Sequence, residues 1–281
     1  MKTIIITGGN SGIGRQSALQ IAREGHRIIL ACRNLDSADK AVSQIKDETK
    51  NKEVYALKLD LSLIENIKPF VSEFKEKFGQ LDVLINNAAD FDLSRKKPLI
   101  TKEGHETQFI TNLVSPILLS ESLLPLLKTS DDPRIINIST QGLMVYPKIE
   151  FDFDNIKGEI KYSPSSMYYQ TKLGLMMASL YQKEQLKSTS ISIYGIRVTN
   201  VKIDMTRYSN ISSILKFMYS IKSKFSISAE EMANVYTKLA IGPKLNGFYY
   251  DEKLNEVKLN TYAYDVDAQE KIWKLIKSYS K

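Results

Sequence analysis

The chain has 281 residues, 43% hydrophobic and 25% charged, a balance that suits a globular protein with a substantial core. A single cysteine, Cys32, excludes an internal disulfide or a multi-cysteine metal site, and two separated histidines, His26 and His105, suggest neither a metal centre nor a Ser-His-Asp triad. The net charge of +7 is spread along the chain and interleaved with Asp and Glu; it lacks the dense basic run of a nucleic-acid binder and fits attraction of a phosphorylated cofactor or an acidic substrate.

The chain opens "MKTIIITGG", an apolar run too short for a signal h-region, and no stretch approaches the roughly 20 apolar residues of a membrane span. A soluble, cytoplasmic protein is the expectation. Strands are expected over 3–7 (TIIIT), 27–31, 54–60, 81–88, 134–139 and 190–196, with helices over 13–24, 36–49 and 63–78 between the first of them. Short β-rich runs separated by helices of about a dozen residues imply right-handed βαβ units and a parallel sheet. A last edge strand is expected in "NGFYYD", 246–251. His105, in the polar run "TKEGHETQ", reads as a solvated surface residue. With no linker, repeat or low-complexity tract, residues 1–281 read as one domain.

The first strand runs into "GGNSGIGRQSALQIA", with Gly8, Gly12 and Gly14 ahead of a helix. Glycines serve where a strand turns sharply into a helix and backbone N–H groups approach a pyrophosphate, whose charge the helix N-terminus favours. By itself such a loop is equally a tight turn. The second strand ends "LACRN". A site for NAD places an acidic residue there to bond the ribose 2′-OH; here Cys32 takes that slot and Arg33 follows. A carboxylate would repel a 2′-phosphate, whereas a guanidinium pairs with it, Arg15 assisting, so NADP(H) is favoured over NAD(H).

In "SMYYQTKLG", Tyr168 and Tyr169 precede Lys172 by four and three residues. Both spacings bring a phenol towards the ammonium on a helix. The pair alone does not distinguish a proton donor and its tuning charge from a packed helix that carries a lysine.

With "TGGNSGIG" (7–14), "LDL" (59–61), "NNAA" (86–89), Asn112 in "FITNLVS", "INIST" (136–140) and "YYQTK" (168–172) in this order, the sequence resembles the short-chain dehydrogenase/reductase family over nearly its whole length. "ACRN" and the long interval after "INIST" resemble the retinol dehydrogenase and protochlorophyllide reductase-like branch, whose members mostly prefer NADPH and act on carbonyls of apolar molecules. The resemblance implies an α/β fold: a doubly wound Rossmann sheet of about seven parallel strands in one domain, with helices on both faces. It implies Tyr168 as general acid/base, Lys172 as its tuning cation and ribose ligand, Asn112 as holder of a relay water, and Thr140, with Ser139 before it, as the hydroxyl that orients the substrate carbonyl. Tyr169 has no assigned role. Gly8, Gly12, Ile13 and Gly14 would cradle the pyrophosphate, with Asn10 and Ser11 among the cofactor-binding residues of the same turn. Arg33 would take the 2′-phosphate. Asp60 and Leu61 would flank the adenine, and Asn87 and Ala88 would line the cofactor pocket. No metal is expected.

Two departures from the family pattern stand out. Ala89 replaces the usual glycine of "NNAG". After the sixth strand, Val198-Thr199 stands at the Pro-Gly position and Ile203 at the threonine that bonds the nicotinamide carboxamide, leaving backbone near Val201 for that task. Residues 203–228 occupy the variable substrate loop, with Ile211, Ile214, Leu215, Met218 and Ile221 at helical spacing. They read as a lid over an apolar substrate or a helix packed on its own domain, with a membrane-surface contact ranked below both. Relatives dimerise or tetramerise through the helices carrying Asn112 and Tyr168. The leading reading is an NADPH-dependent carbonyl reductase, or the alcohol dehydrogenase in reverse. Reduction of an activated C=C bond and a non-turning-over NADP(H) sensor are the alternatives; the intact Asn112, Tyr168 and Lys172 argue against the sensor.

Overall fold

The computed structural model describes residues 1–202 and 226–280. Seven strands form one sheet: β1 (Thr3–Thr7), β2 (Arg27–Cys32), β3 (Val54–Lys58), β4 (Val83–Asn86), β5 (Arg134–Thr140), β6 (Ser192–Val198) and β7 (Tyr249–Tyr250). Their order is β3-β2-β1-β4-β5-β6-β7, and every pairing is parallel. A parallel sheet covered on both faces needs nearly continuous apolar strands, and all five residues of β1 are buried. Alternation then divides the core. Ile5, Ile29, Leu84 and Ile135 face one layer, while Ile4, Ile6, Ile28 and Ile85 face the other.

The helices are α1 (Gly12–Arg23), α2 (Leu35–Thr49), α3 (Ile67–Phe78), α4 (Ser115–Leu127), α5 (Pro164–Gln185), α6 (Ala229–Ile241) and α7 (Val266–Lys277). Apolar residues of α1, α2 and α6 share one core with the sheet, and those of α3, α4, α5 and α7 share the other. This is the doubly wound Rossmann arrangement. The strand order reverses between β1 and β4, so the connections leaving them part and open a crevice at the carboxyl ends of the strands.

Several sequence expectations change in detail. The helix expected over 63–78 begins as a 3₁₀ turn, Ile64–Asn66, before α3. Pro69 stands in the first turn of α3, where its missing N–H is one the helix leaves unpaired anyway. The third strand ends at Lys58, leaving Asp60 in the loop that follows. His105 is not a solvated surface residue: its ring is half-buried against Tyr279, with centroids 5.0 Å apart.

The expectation that no stretch is long and apolar enough to cross a membrane is also corrected. The helical run Thr107–Leu127 has 21 residues and a mean hydropathy of 1.5. Two-thirds of it is buried, and Ile110, Leu113, Ile117 and Leu123 pack in the core beside α3 and α5. The run widens to a π-turn over Ile110–Val114. Pro116, just beyond, has no N–H to return to the Asn112 carbonyl four residues back, which removes one rung of the regular ladder. The substrate-loop expectation for 203–228 lies outside the described residues except at 226–228, and Ile203, Ile211, Ile214, Leu215, Met218 and Ile221 fall in that stretch.

Candidate active site

The crevice is a cleft of about 1230 Å³. That exceeds the roughly 300–1,000 Å³ usual for a small-ligand pocket and leaves room for two molecules side by side. Of the site residues expected from the sequence, all line it except Gly14 and Asn112.

One wall is the turn from β1 into α1. Gly8 and Gly12 have φ of +62° and +58°, the left-handed region that favours glycine. Gly14 serves a close approach instead, because a Cβ there would stand 2.5 Å from Asn87 Nδ2. That amide donates to the Thr7 carbonyl at 2.9 Å, and Ala88 N–H donates to Thr7 Oγ1 at 3.0 Å. Asn87 and Ala88 therefore tie the end of β4 to the end of β1. Asn10 Nδ2 bonds Ser37 Oγ at 2.8 Å and fixes the outside of the turn on α2. Ser11 is the N-cap of α1 but makes no side-chain capping bond, and the first turn carries no acidic residue. The helix N-terminus thus presents N–H groups and a positive dipole end with no carboxylate against them.

At the end of β2 the structure revises the slot assigned to Cys32. Cys32 is 2% exposed, does not line the cleft, and has its thiol pushed up to about 11 by burial. Alternation along the strand turns its neighbours Ala31 and Arg33 to the cleft instead. Arg33 is exposed and, among the described residues, has no ion pair. Arg15 also lines the cleft, but its Nη2 is paired with Glu48 at 3.2 Å. Asp60 lies on the same side and accepts from the Ser62 N–H and hydroxyl, while Leu61 is buried behind it.

The opposite end of the cleft gathers Ser139 and Thr140 of β5 with Tyr168 and Lys172 of α5. The helix starts at Pro164 behind a Ser163 cap, and Ser179 further along it accepts from Asn137 of β5 at 2.7 Å. Lys172 is 1% exposed; its Nζ donates to the Ile138 carbonyl at 2.8 Å and lies 5.9 Å from the centre of the Tyr168 ring. Burial pulls its ammonium down to about 8. Tyr169 also lines the cleft but packs against Tyr146, with ring centres 4.9 Å apart, and over Gly142, where a Cβ would stand 2.2 Å from the ring. Of the two tyrosines, it is Tyr168 whose ring lies near the Lys172 ammonium.

The two hydroxyls of β5 differ. Ser139 is buried and its Oγ accepts from Tyr249 Oη at 3.2 Å. Thr140 Oγ1 accepts from Gly142 N–H at 3.1 Å, so it keeps its own proton to donate into the cleft.

Asn112 is fully buried, and its side chain does not reach the cleft. Its Oδ1 accepts from Asp90 N–H at 2.7 Å, and its Nδ2 donates to the Asp90 carbonyl at 2.9 Å and to Thr171 Oγ1 at 3.4 Å. Thr171 in turn donates to the Tyr168 carbonyl at 2.8 Å. The side-chain amide is a clamp between the loop after β4 and the helix of Tyr168. Val201 lines the cleft beside a parallel bridge to Ile227.

The sequence reading missed three contributors. Phe91 packs against Tyr168 with ring centres 4.3 Å apart and the planes tilted by 50°. Leu93, Leu99 and Ile100 line the cleft and are 44–51% exposed, an apolar rim. Tyr236 of α6 is fully buried yet lines the cleft. Its only signal was a polar-tipped side chain at a core position of the stripe Met232, Val235, Leu239.

Comparison with known proteins gives the family and the fold. A family model described as short chain dehydrogenase matches residues 2–150. Human retinol dehydrogenase 13 is 31% identical over 279 residues, covering 97% of this chain and 82% of its own. Mouse retinol dehydrogenase 12 is 30% identical over 274 residues, covering 97% and 84%. Among solved structures, an uncharacterised protein of Mycobacterium paratuberculosis superposes with a TM-score of 0.75 at 21% identity, covering 99% of this chain and 92% of that one. An alcohol dehydrogenase of Thermococcus sibiricus, complexed with 5-hydroxy-NADP, superposes at 0.69 and 20% identity, covering 93% and 97%.

Proposed function

Because the chain belongs to the short-chain dehydrogenase family, in its retinol dehydrogenase branch, we propose that this oxidoreductase uses NADP(H) to exchange hydride with a carbonyl or alcohol of an apolar molecule. The observation that carries the reading is Lys172: a buried ammonium facing the ring of Tyr168, in the same cleft as a glycine turn and an uncapped helix N-terminus.

The residues of the cleft fit a dinucleotide. The left-handed glycines and open N–H groups of α1 suit a pyrophosphate. Arg33, exposed and without an ion pair among the described residues, suits a 2′-phosphate, and nothing acidic at the end of β2 opposes it. Bound there, the nicotinamide supplies or accepts the hydride at its ring carbon.

The chain's own residues manage the proton and the oxygen. In the reducing direction Thr140 donates its hydroxyl hydrogen to the substrate oxygen and Tyr168 delivers the proton that makes the alcohol. A phenol is a poor acid–base group at neutral pH unless a cation favours its phenolate, and Lys172 supplies that charge. Asn112 positions Tyr168 through Thr171 and Asp90. The rim of Leu93, Leu99 and Ile100 together with Phe91 favours an apolar substrate, as does the name of the relatives, retinol being an apolar alcohol. The whole chain serves as one catalytic domain in this reading, with 203–228 as its substrate loop.

The test is NADPH oxidation against a panel of apolar aldehydes, ketones and enones, comparing wild type with Tyr168→Phe. Turnover of a carbonyl that falls by about 10²–10⁴ in the variant is expected. Turnover that survives the substitution would remove Tyr168 from the chemistry, and turnover of enones alone would move the reaction to C=C reduction.

A further inference from the structure

Tyr236 presents a polar group with no hydrogen-bond partner among the described residues. It is 0% exposed, and its side chain lines the cleft. A buried hydroxyl without a partner costs free energy, and folded proteins rarely retain one unless a ligand, ion or water completes it. The placement narrows the choice. Helix α6 packs on α1, and Tyr236 belongs to the core layer of Ile6, Ile85, Ile138 and Ile196. Its side chain therefore borders the cleft from the face of the sheet opposite α5, the helix that brings Tyr168 and Lys172. Burial first, and then the neighbouring Tyr168, push the Tyr236 hydroxyl well above the ordinary tyrosine range, so it stays protonated and can donate.

Resting on the function proposed above, a dinucleotide in this cleft spans from Arg33 past the glycine turn to Tyr168. Its inner end is the nicotinamide, whose one hydrogen-bonding substituent is the carboxamide. Carrying that amide out of water is unfavourable unless a partner meets it. We propose that Tyr236 is a cofactor-positioning residue whose hydroxyl bonds the nicotinamide carboxamide and so orients the ring beneath Tyr168. The substrate oxygen is already served by Thr140 and Tyr168 from the other side of the cleft.

The test removes one oxygen atom with Tyr236→Phe. Dissociation constants are measured by titration calorimetry for NADPH and for 2′-phospho-ADP-ribose, the same molecule without its nicotinamide. The thermal midpoint of each unliganded protein is measured alongside. The expected result is NADPH weakened about five- to tenfold, 2′-phospho-ADP-ribose held within about twofold, and a midpoint unchanged or raised, because the orphaned hydroxyl is gone. Unchanged NADPH affinity in the variant would overturn the assignment, as would equal weakening of both molecules or a lowered midpoint, which would mark a structural residue. Wild type that binds neither molecule would overturn the proposed function and this inference with it.

Discussion

Asn112 grips the backbone of Asp90 from both sides, accepting its N–H at 2.7 Å and donating to its carbonyl at 2.9 Å. A side-chain amide is the smallest group that can close both bonds at once. Asn112→Ala leaves both groups of Asp90 without their partner and is expected to cost about 2–3 kcal/mol of stability. It should also lower kcat with little change in NADPH affinity, since Tyr168 is held through this clamp while the glycine turn is not. Urea denaturation and cofactor titration check the two halves separately. Loss of cofactor affinity matching the loss of rate would refute the positioning role.

Arg33 and Arg15 both border the cleft, but only Arg15 is occupied by a carboxylate, that of Glu48. Charge-assisted hydrogen bonds are worth about 1.5–3 kcal/mol. Arg33→Asp is therefore expected to weaken NADPH about 10- to 100-fold and to leave NADH unchanged or tighter. Titration of both cofactors decides it. Equal weakening of the two would mean that Arg33 does not read the 2′-phosphate.

Lys172 carries its charge at a cost. Burial lowers it from 10.5 to about 8, so between those values the unfolded chain binds the proton more strongly and stability rises with pH. Below pH 8 the folded state bears the whole penalty, about 3 kcal/mol at 1.36 kcal/mol per pKa unit. Lys172→Met should be more stable than wild type at pH 7 by about 1–2 kcal/mol, because the variant also leaves the Ile138 carbonyl without its donor. The gap should close between about pH 9 and 10 and reverse by pH 10.5, where the wild-type amine still donates to Ile138 without the charge penalty, while activity is lost throughout. A variant less stable at pH 7 would show that the bond to Ile138 outweighs the burial.

Glu106 has the opposite sign. It is fully buried; its Oε2 accepts from Phe109 N–H at 2.7 Å and its Oε1 has no partner among the described residues. Burial first, and the nearby Asp90 with it, push the carboxyl up to about 7 against the Phe109 bond and Arg95. Its contribution is present below pH 4.5 and is lost as pH rises to 7. Glu106→Gln keeps an acceptor for Phe109 and removes the charge, so it should stabilise by roughly 2 kcal/mol at pH 8 and be neutral at pH 4. Thermal denaturation at the two pH values measures it. A gain of the same size at both would point to packing instead of charge.

Much of the site was legible because its parts are local. The turn from β1 to α1 is written in glycine spacing, since only glycine meets the φ of Gly8 and Gly12 without strain. The Tyr168–Lys172 spacing is a helical period, and consecutive apolar residues in β1, β4 and β5 announce a sheet covered on both faces. Readings failed where a residue's partner is far along the chain. His105 looked polar and solvated, yet Tyr279 covers it. Cys32 looked like the residue facing the ribose, yet strand pleating turns it inward and Arg33 outward. That the Asn112 amide clamps a loop 22 residues away was equally out of reach.

The sequence by itself determined the order of strands and helices, the glycine turn and the helical spacing of Tyr168 and Tyr169 to Lys172, because backbone sterics and periodicity act within a few residues. Tertiary structure alone decided which tyrosine faces Lys172, that Arg15 is taken by Glu48 while Arg33 stands open, and that Tyr236 borders the cleft from the opposite face of the sheet. Each of these depends on which groups meet across the sheet and on how much water the meeting excludes, and burial and pairing of that kind belong to the packed chain.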